Sequence, residues 1–134
     1  MNLTQASKQV VTAERAPKPI GPYSAAIACR GFVFVSGQLG IDPASENLLE
    51  GVEAQARQAL RNLSAVLEAA GTDLSSVVKT TVFLKDIADF ALVNGIYAEF
   101  FTQDFPARSA IQVAALPKDG LVEIEAIAAA SQVS

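Results

Sequence analysis

The chain of 134 residues has no histidine, one cysteine, and only 18% charged residues. Each shortage removes a class of function. Without histidine the usual general base near neutral pH is missing, and so are histidine-containing zinc sites. Cys29 alone cannot form an intrachain disulfide. No apolar run reaches the ~18 residues of a helical membrane span. The first ten residues, MNLTQASKQV, lack the apolar stretch of a secretory leader, so the expected location is the cytoplasm. A net charge of −4 and a pI near 4.7 leave no basic footprint for nucleic acid. Chemistry here must come from carboxylate, arginine, hydroxyl, backbone or water, and the residues call for no metal and no cofactor.

Hydrophobic residues make up 51% of the sequence, enough at this length for one domain, 1–134, with a true core. Residues 8–12, 25–29 and 32–38 read as strands. The segment APKPIGP (16–22) is too rich in proline and glycine for regular structure. Residues 52–70 carry Val52, Ala56, Leu60, Leu63, Leu67 and Ala70 at helical spacing, with Glu53 in the first turn and Gly71 as the stop. A strand over 77–84 precedes a second helix over about 88–102, with Asp86 or Asp89 as cap and Phe90, Val93, Tyr97 and Phe100 or Phe101 as its apolar stripe. Two strands flank residues 117–120. The order predicts an α+β domain, a mixed β-sheet with two helices packed on one face.

Two helices leave the second sheet face bare, yet Phe32, Val33, Phe34 and Val35 are apolar at four successive positions. Both sides of that strand therefore seek burial, and self-association is the simplest remedy for the patch.

The most chemically committed stretch is PARSAIQVAALPKDGLVEIEAI, residues 106–127. Arg108 heads one apolar run, and Glu123 and Glu125 alternate with apolar residues in the next. The pattern reads as two half-buried strands around a turn. A guanidinium and a carboxylate inside strands need partners: Arg108 either pairs with Glu123 or forms part of a binding site. A tight hairpin about Lys118 would set the two about 16 Å apart at ~3.3 Å per residue. Either the turn is not tight or the site draws on two copies of the chain, and the second alternative is preferred.

These residues resemble the C-terminal signature of the reactive intermediate deaminase A (RidA, YjgF) family, in which Pro-Ala-Arg-Ser is followed at this spacing by a strand with alternating glutamates. IGPYS (20–24), FVSGQ (34–38), AGTDLSSVVKTTVFLKDIADF (70–90) and VNGIYAEFF (93–101) match further family segments in the same order. The resemblance implies a chorismate-mutase-like fold and a homotrimer with helices outside and clefts between subunits. It implies hydrolytic deamination of 2-imino acids, derived from 2-aminoacrylate and released by pyridoxal-phosphate dehydratases, to 2-keto acids and ammonia.

By the same resemblance Arg108 grips the substrate carboxylate and Glu123 holds or activates water. Tyr23, Ser36, Gly37 and Asn94 fall at secondary substrate contacts. Each also has an ordinary reading: packing for Tyr23, a bulge at Ser36 and Gly37, and a backbone hydrogen bond for Asn94. Many family members carry a cysteine two residues after the arginine, where this chain has Ala110, so a thiol role is not expected. Three rival functions stay open: a non-catalytic keto-acid sensor, the endoribonuclease or translation-inhibitor activity attributed to some members, and a deaminase for a larger, 2-aminomuconate-type compound.

Overall fold

The structure, a computed structural model, describes residues 7–130. Residues 1–6, most of the stretch read for a leader, lie outside that range. The strands are β1 (Gln9–Val11), β2 (Ala26–Cys29), β3 (Phe32–Leu39), β4 (Val77–Leu84), β5 (Ala107–Gln112) and β6 (Val122–Ala129). The helices are α1 (Val52–Ala69) and α2 (Phe90–Phe100). All six strands form one mixed sheet in the order β1-β2-β3-β6-β4-β5, so the expected α+β architecture holds.

Apolar periodicity sets α1. Ala56, Ala59, Leu60, Leu63, Val66 and Leu67 are buried and face Val33, Val35, Val122, Ile124, Ala126 and Ala128 in a single core. The helix stops at Gly71, whose φ of 84° suits a residue without Cβ. The Gly71 N–H donates to the Glu68 carbonyl and the Thr72 N–H to the Leu67 carbonyl, the two bonds of a Schellman terminus. The second helix begins at Phe90, not 88. Asp86 caps a short 3₁₀ turn over Ile87–Asp89 by accepting from the Ala88 N–H at 2.9 Å.

The expected turn between the last two strands is corrected. β5 does not pair with β6; β4 lies between them, parallel to β5 and antiparallel to β6. The cause is the connection: β4 reaches β5 through α2, and parallel neighbours require such a crossover. β6 then enters the sheet between β3 and β4.

Strand alternation divides the sheet into a helix side and an open side. On the helix side Thr80, Val82, Leu84, Val122 and Ile124 are buried. On the open side Phe32 and Phe34 remain 43% and 44% exposed, and Ile111 47%. Neither helix covers that face, and the bare apolar surface expected from the strand composition is present.

Candidate active site

The first group of polar residues collects at a bulge in β3. Val35 pairs with Ala126 but Gln38 pairs with Ile124, so β3 carries one extra residue across Ser36 and Gly37. The Ser36 N–H donates to the Ala25 carbonyl at 3.0 Å, and its hydroxyl donates to the Ser24 carbonyl at 2.6 Å. The Glu123 side chain packs onto Gly37 so closely that a Cβ there would stand 2.7 Å from Oε2. A side chain at position 37 would therefore displace the carboxylate beside it. Burial, and secondarily the charge of Glu125 two residues on, raises the Glu123 carboxyl above the ordinary 4.5.

Tyr23 closes this side. Its hydroxyl accepts from the Ile20 N–H at 3.2 Å, folding the Ile-Gly-Pro-Tyr segment into a tight loop that leaves the ring 49% exposed. Tyr23, Ser36, Gly37 and Glu123 line a cleft of about 400 Å³ together with Lys18 and Ile20.

The second group forms on the edge strand β5. Phe90, Asn94 and Tyr97 recur at four- and three-residue steps along α2, which places them on one helix face. Arg108 lies against that face. Its Nη1 donates to Asn94 Oδ1 at 2.8 Å, and its guanidinium carbon stands 4.8 Å from the Tyr97 ring centre and 5.5 Å from that of Phe90. Cation–π contacts at an exposed side chain contribute about 0.5–1 kcal/mol each. A groove of about 400 Å³ runs beside it, lined by Asn94, Tyr97, Ala98, Phe105, Pro106 and Arg108.

Pairing of Arg108 with Glu123 inside one chain is excluded. Among the described residues the ion pairs are Arg57–Glu53, Arg57–Glu99 and Lys85–Asp119. Arg108 stands opposite Thr80 and Glu123 opposite Phe83 in β4. Those two positions differ by an odd number, so their side chains leave opposite faces of the sheet. Ala110, opposite Val82, shares the helix-side face with Arg108. Cys29 is in β2, opposite Phe32, away from both groups.

Sequence reasoning missed Tyr97, Phe90 and Thr80 as neighbours of Arg108, having assigned the two aromatics to the core stripe. The available signal was their spacing from Asn94. Tyr97 does belong to the buried stripe, but its hydroxyl meets Thr80 Oγ1 at 2.7 Å while its ring faces the guanidinium. Burial pushes the Tyr97 phenol up, against the opposing pull of the Thr80 hydrogen bond and the Arg108 charge.

A six-stranded mixed sheet with two helices on one face defines the chain as a small α+β protein. The family model described as endoribonuclease L-PSP matches residues 13–130, and the chain belongs to this family, the YjgF or RidA family. It is 53% identical over 122 residues to a RutC family protein of Pyrococcus horikoshii, covering 90% of this chain and 97% of that one. It is 52% identical over 122 residues to the 2-iminobutanoate/2-iminopropanoate deaminase of Bos taurus, covering 90% and 89%. Among solved structures, Escherichia coli TdcF with bound serine superposes with a TM-score of 0.88 at 41% identity, covering 92% of this chain and 99% of that one. The name of the bovine relative supports a deaminase role in the family. Among the described residues no helix is long and apolar enough to cross a membrane.

Proposed function

We propose that the protein hydrolyses small 2-imino acids, 2-iminopropanoate and 2-iminobutanoate, to the corresponding 2-keto acids and ammonia, in clefts formed between copies of a homotrimer. The observation that carries this reading is the state of Arg108. An amide and two aromatic faces hold it, and no carboxylate lies within ion-pair distance among the described residues. The fork keeps donors for a carboxylate brought from outside, and arginine binds such a group through two parallel hydrogen bonds.

The name of the bovine relative and the serine bound to TdcF support a small substrate bearing a carboxylate and a nitrogen on the adjacent carbon. The open sheet face supports association, and the placement of Arg108 and Glu123 on opposite faces supports a site shared by two copies.

The chemistry asks little of the protein. The carbon of a protonated imine is already electrophilic. Arg108 orients the substrate by its carboxylate, and Glu123 of a neighbouring copy orients a water and takes its proton as oxygen bonds to the imine carbon. Protonated Glu123 then gives that proton to the nitrogen of the resulting amino alcohol, and as the C–N bond breaks the hydroxyl gives up its own proton to the carboxylate, releasing ammonia and the keto acid. Tyr23 and the backbone at Ser36 and Gly37 line the space where the nitrogen and the attacking oxygen would lie. Raising the pKa of Glu123 moves it toward the range in which a carboxylate is an effective base.

The test couples a serine or threonine dehydratase, which releases imine, to timed detection of keto acid with and without this protein. Faster keto-acid formation supports the reading, and an unchanged rate sinks it. The description of the family model gives ribonuclease activity a claim to a parallel assay on tag-free protein. A chain of net charge −4 without histidine is poorly equipped for that reaction.

A further inference from the structure

Thr80 is fully buried in the middle of the sheet, where valine, its apolar isostere, would avoid desolvating a hydroxyl. Farther along β4 the same helix-side face carries Val82 and Leu84, both buried. A hydroxyl withdrawn from water at such a site is unfavourable unless hydrogen-bonded. The partner is the Tyr97 hydroxyl at 2.7 Å, itself on a buried residue of α2. That same tyrosine ring faces the Arg108 guanidinium at 4.8 Å. Thr80 also stands directly opposite Arg108 in the β4–β5 pairing. Three elements therefore converge on one contact: β5 carries the guanidinium, α2 the ring beneath it, and β4 the hydroxyl that holds the ring.

We propose that Thr80 and Tyr97 are positioning residues that set the direction of the Arg108 fork. The inference rests on Arg108 being the carboxylate clamp and deepens that reading. Arg108 is exposed, with a long stem and a hydrogen bond to Asn94 through Nη1. That bond leaves rotation about the stem. A planar fork engages both oxygens of a carboxylate only when its plane and edge face the ligand. The Tyr97 ring restrains the guanidinium over its face, and the Thr80 hydrogen bond restrains the ring. With burial raising its pKa, the phenol stays neutral at neutral pH, and the contact with Thr80 has a proton to share between the two hydroxyls.

The test compares Thr80→Val, Thr80→Ser and Tyr97→Phe on folded protein of wild-type oligomeric state, with two readouts. The first is the NMR order parameter of the Arg108 Nε–H. The second is the dissociation constant for 2-oxobutanoate, a stable keto acid. Thr80→Val and Tyr97→Phe should lower the order parameter and weaken 2-oxobutanoate binding about five- to tenfold, part of the effect of losing a charge-assisted contact. Thr80→Ser keeps the hydroxyl and should restore both.

Where a single variant folds poorly, the double variant Thr80→Val/Tyr97→Phe leaves neither hydroxyl without its partner, and the same expectation applies. Unchanged Arg108 order and unchanged affinity in well-folded variants overturn the proposal, because the pair then serves only the core. If the wild type neither binds 2-oxobutanoate nor hydrolyses imine, the deaminase reading fails, and the order parameter alone still decides whether Thr80 and Tyr97 position Arg108.

Discussion

Arg108 and Glu123 belong to strands separated by one neighbour, β4, and leave the sheet on opposite faces. Arg108 pairs across from Thr80 and Glu123 across from Phe83, which offsets them by about 10 Å along the strand at ~3.3 Å per residue. Two strand spacings of ~4.8 Å add a similar distance across the sheet. No side-chain rotation brings the two groups to one substrate within a chain, so a site that uses both takes one from each of two copies.

Hybrid assemblies test this directly. Arg108→Ala and Glu123→Gln should each be inactive alone. Refolded together in equal amounts, they should recover about one quarter of wild-type activity, because in a closed ring of heterologous interfaces about one in four pairs an intact arginine with an intact glutamate. Mass spectrometry would verify that mixed trimers have formed. Mixed trimers without recovered activity would place both groups' work, if any, within one chain.

The open sheet face predicts how the assembly breaks. Phe34 is 44% exposed in the single chain, with its ring centre 6.3 Å from that of Phe32. Phe34→Glu would put a charge into the apolar contact, where desolvation opposes it. Light scattering should give three times 14.0 kDa for the wild type and a single-chain mass for the variant, with imine hydrolysis lost alongside. A wild-type mass of one chain at micromolar concentration would end the trimer reading.

The environment of Glu123 predicts a pH response. Burial and Glu125 raise its carboxyl above 4.5, so the active, ionised form is lost as pH falls through that raised value. Glu125→Gln removes the like charge, and the acid limb of the rate profile should move to lower pH. In the proposed assembly an Arg108 from a neighbouring copy would act on Glu123 in both proteins alike, so the direction of the difference is unaffected. For folding the sign is reversed: a raised acid destabilises the folded state as pH climbs from the ordinary carboxylate value through the raised one. Glu125→Gln should therefore lose less stability across that window, as followed by urea melts. An acid limb that does not move would show that Glu123 does not titrate in the reaction.

Much of this was legible before the fold was known, and the misses have one origin. Apolar spacing locates α1 because a helix repeats its own face, and alternation locates Val122–Ala129 as a half-buried strand. Which strand lies beside which is not a local property. β5 and β6 follow one another in sequence, but α2 carries β5 to the far side of β4 and separates the pair a hairpin would have joined. Glycine at position 37 marks both a bulge and a close approach, and the approaching group is the Glu123 carboxylate. Helical spacing assigns Tyr97 to the core because the residue is buried there; only the three-dimensional arrangement shows its hydroxyl meeting Thr80 and its ring meeting Arg108.

Gly37→Ala separates stability from activity. The added Cβ would stand 2.7 Å from Glu123 Oε2 and 2.8 Å from its carboxyl carbon, so something must move. The carboxylate is the free end of a flexible side chain and gives way more readily than the strand. Melting temperature should fall by only a few degrees, on the order of 1 kcal/mol. Turnover should drop on the order of a hundredfold as the base loses its position. Equal and small losses in both measurements would mean that the position of Glu123 does not matter to the reaction.

Arg108 is the residue on which the functional reading depends most. Arg108→Ala should abolish acceleration of imine hydrolysis, and Arg108→Lys should recover little. Lysine keeps the charge but is a point donor without the planar fork, and it also loses the guanidinium's fit between Asn94 and the faces of Tyr97 and Phe90. Loss of one charge-assisted contact costs about 1.5–3 kcal/mol, roughly ten- to a hundredfold at ~1.4 kcal/mol per decade. A misplaced reacting carbon adds to that loss. A structural role makes a different prediction: Arg108→Ala would lower the melting temperature or weaken the assembly, and activity would follow the folded fraction. The exposure of the side chain and the lack of an ion-pair partner among the described residues argue that stability should change little. The deciding measurement is turnover on variant protein shown to be trimeric and fully folded. Near wild-type turnover on that material would remove Arg108 from the site, and the imino-acid reading would lose the observation that carries it.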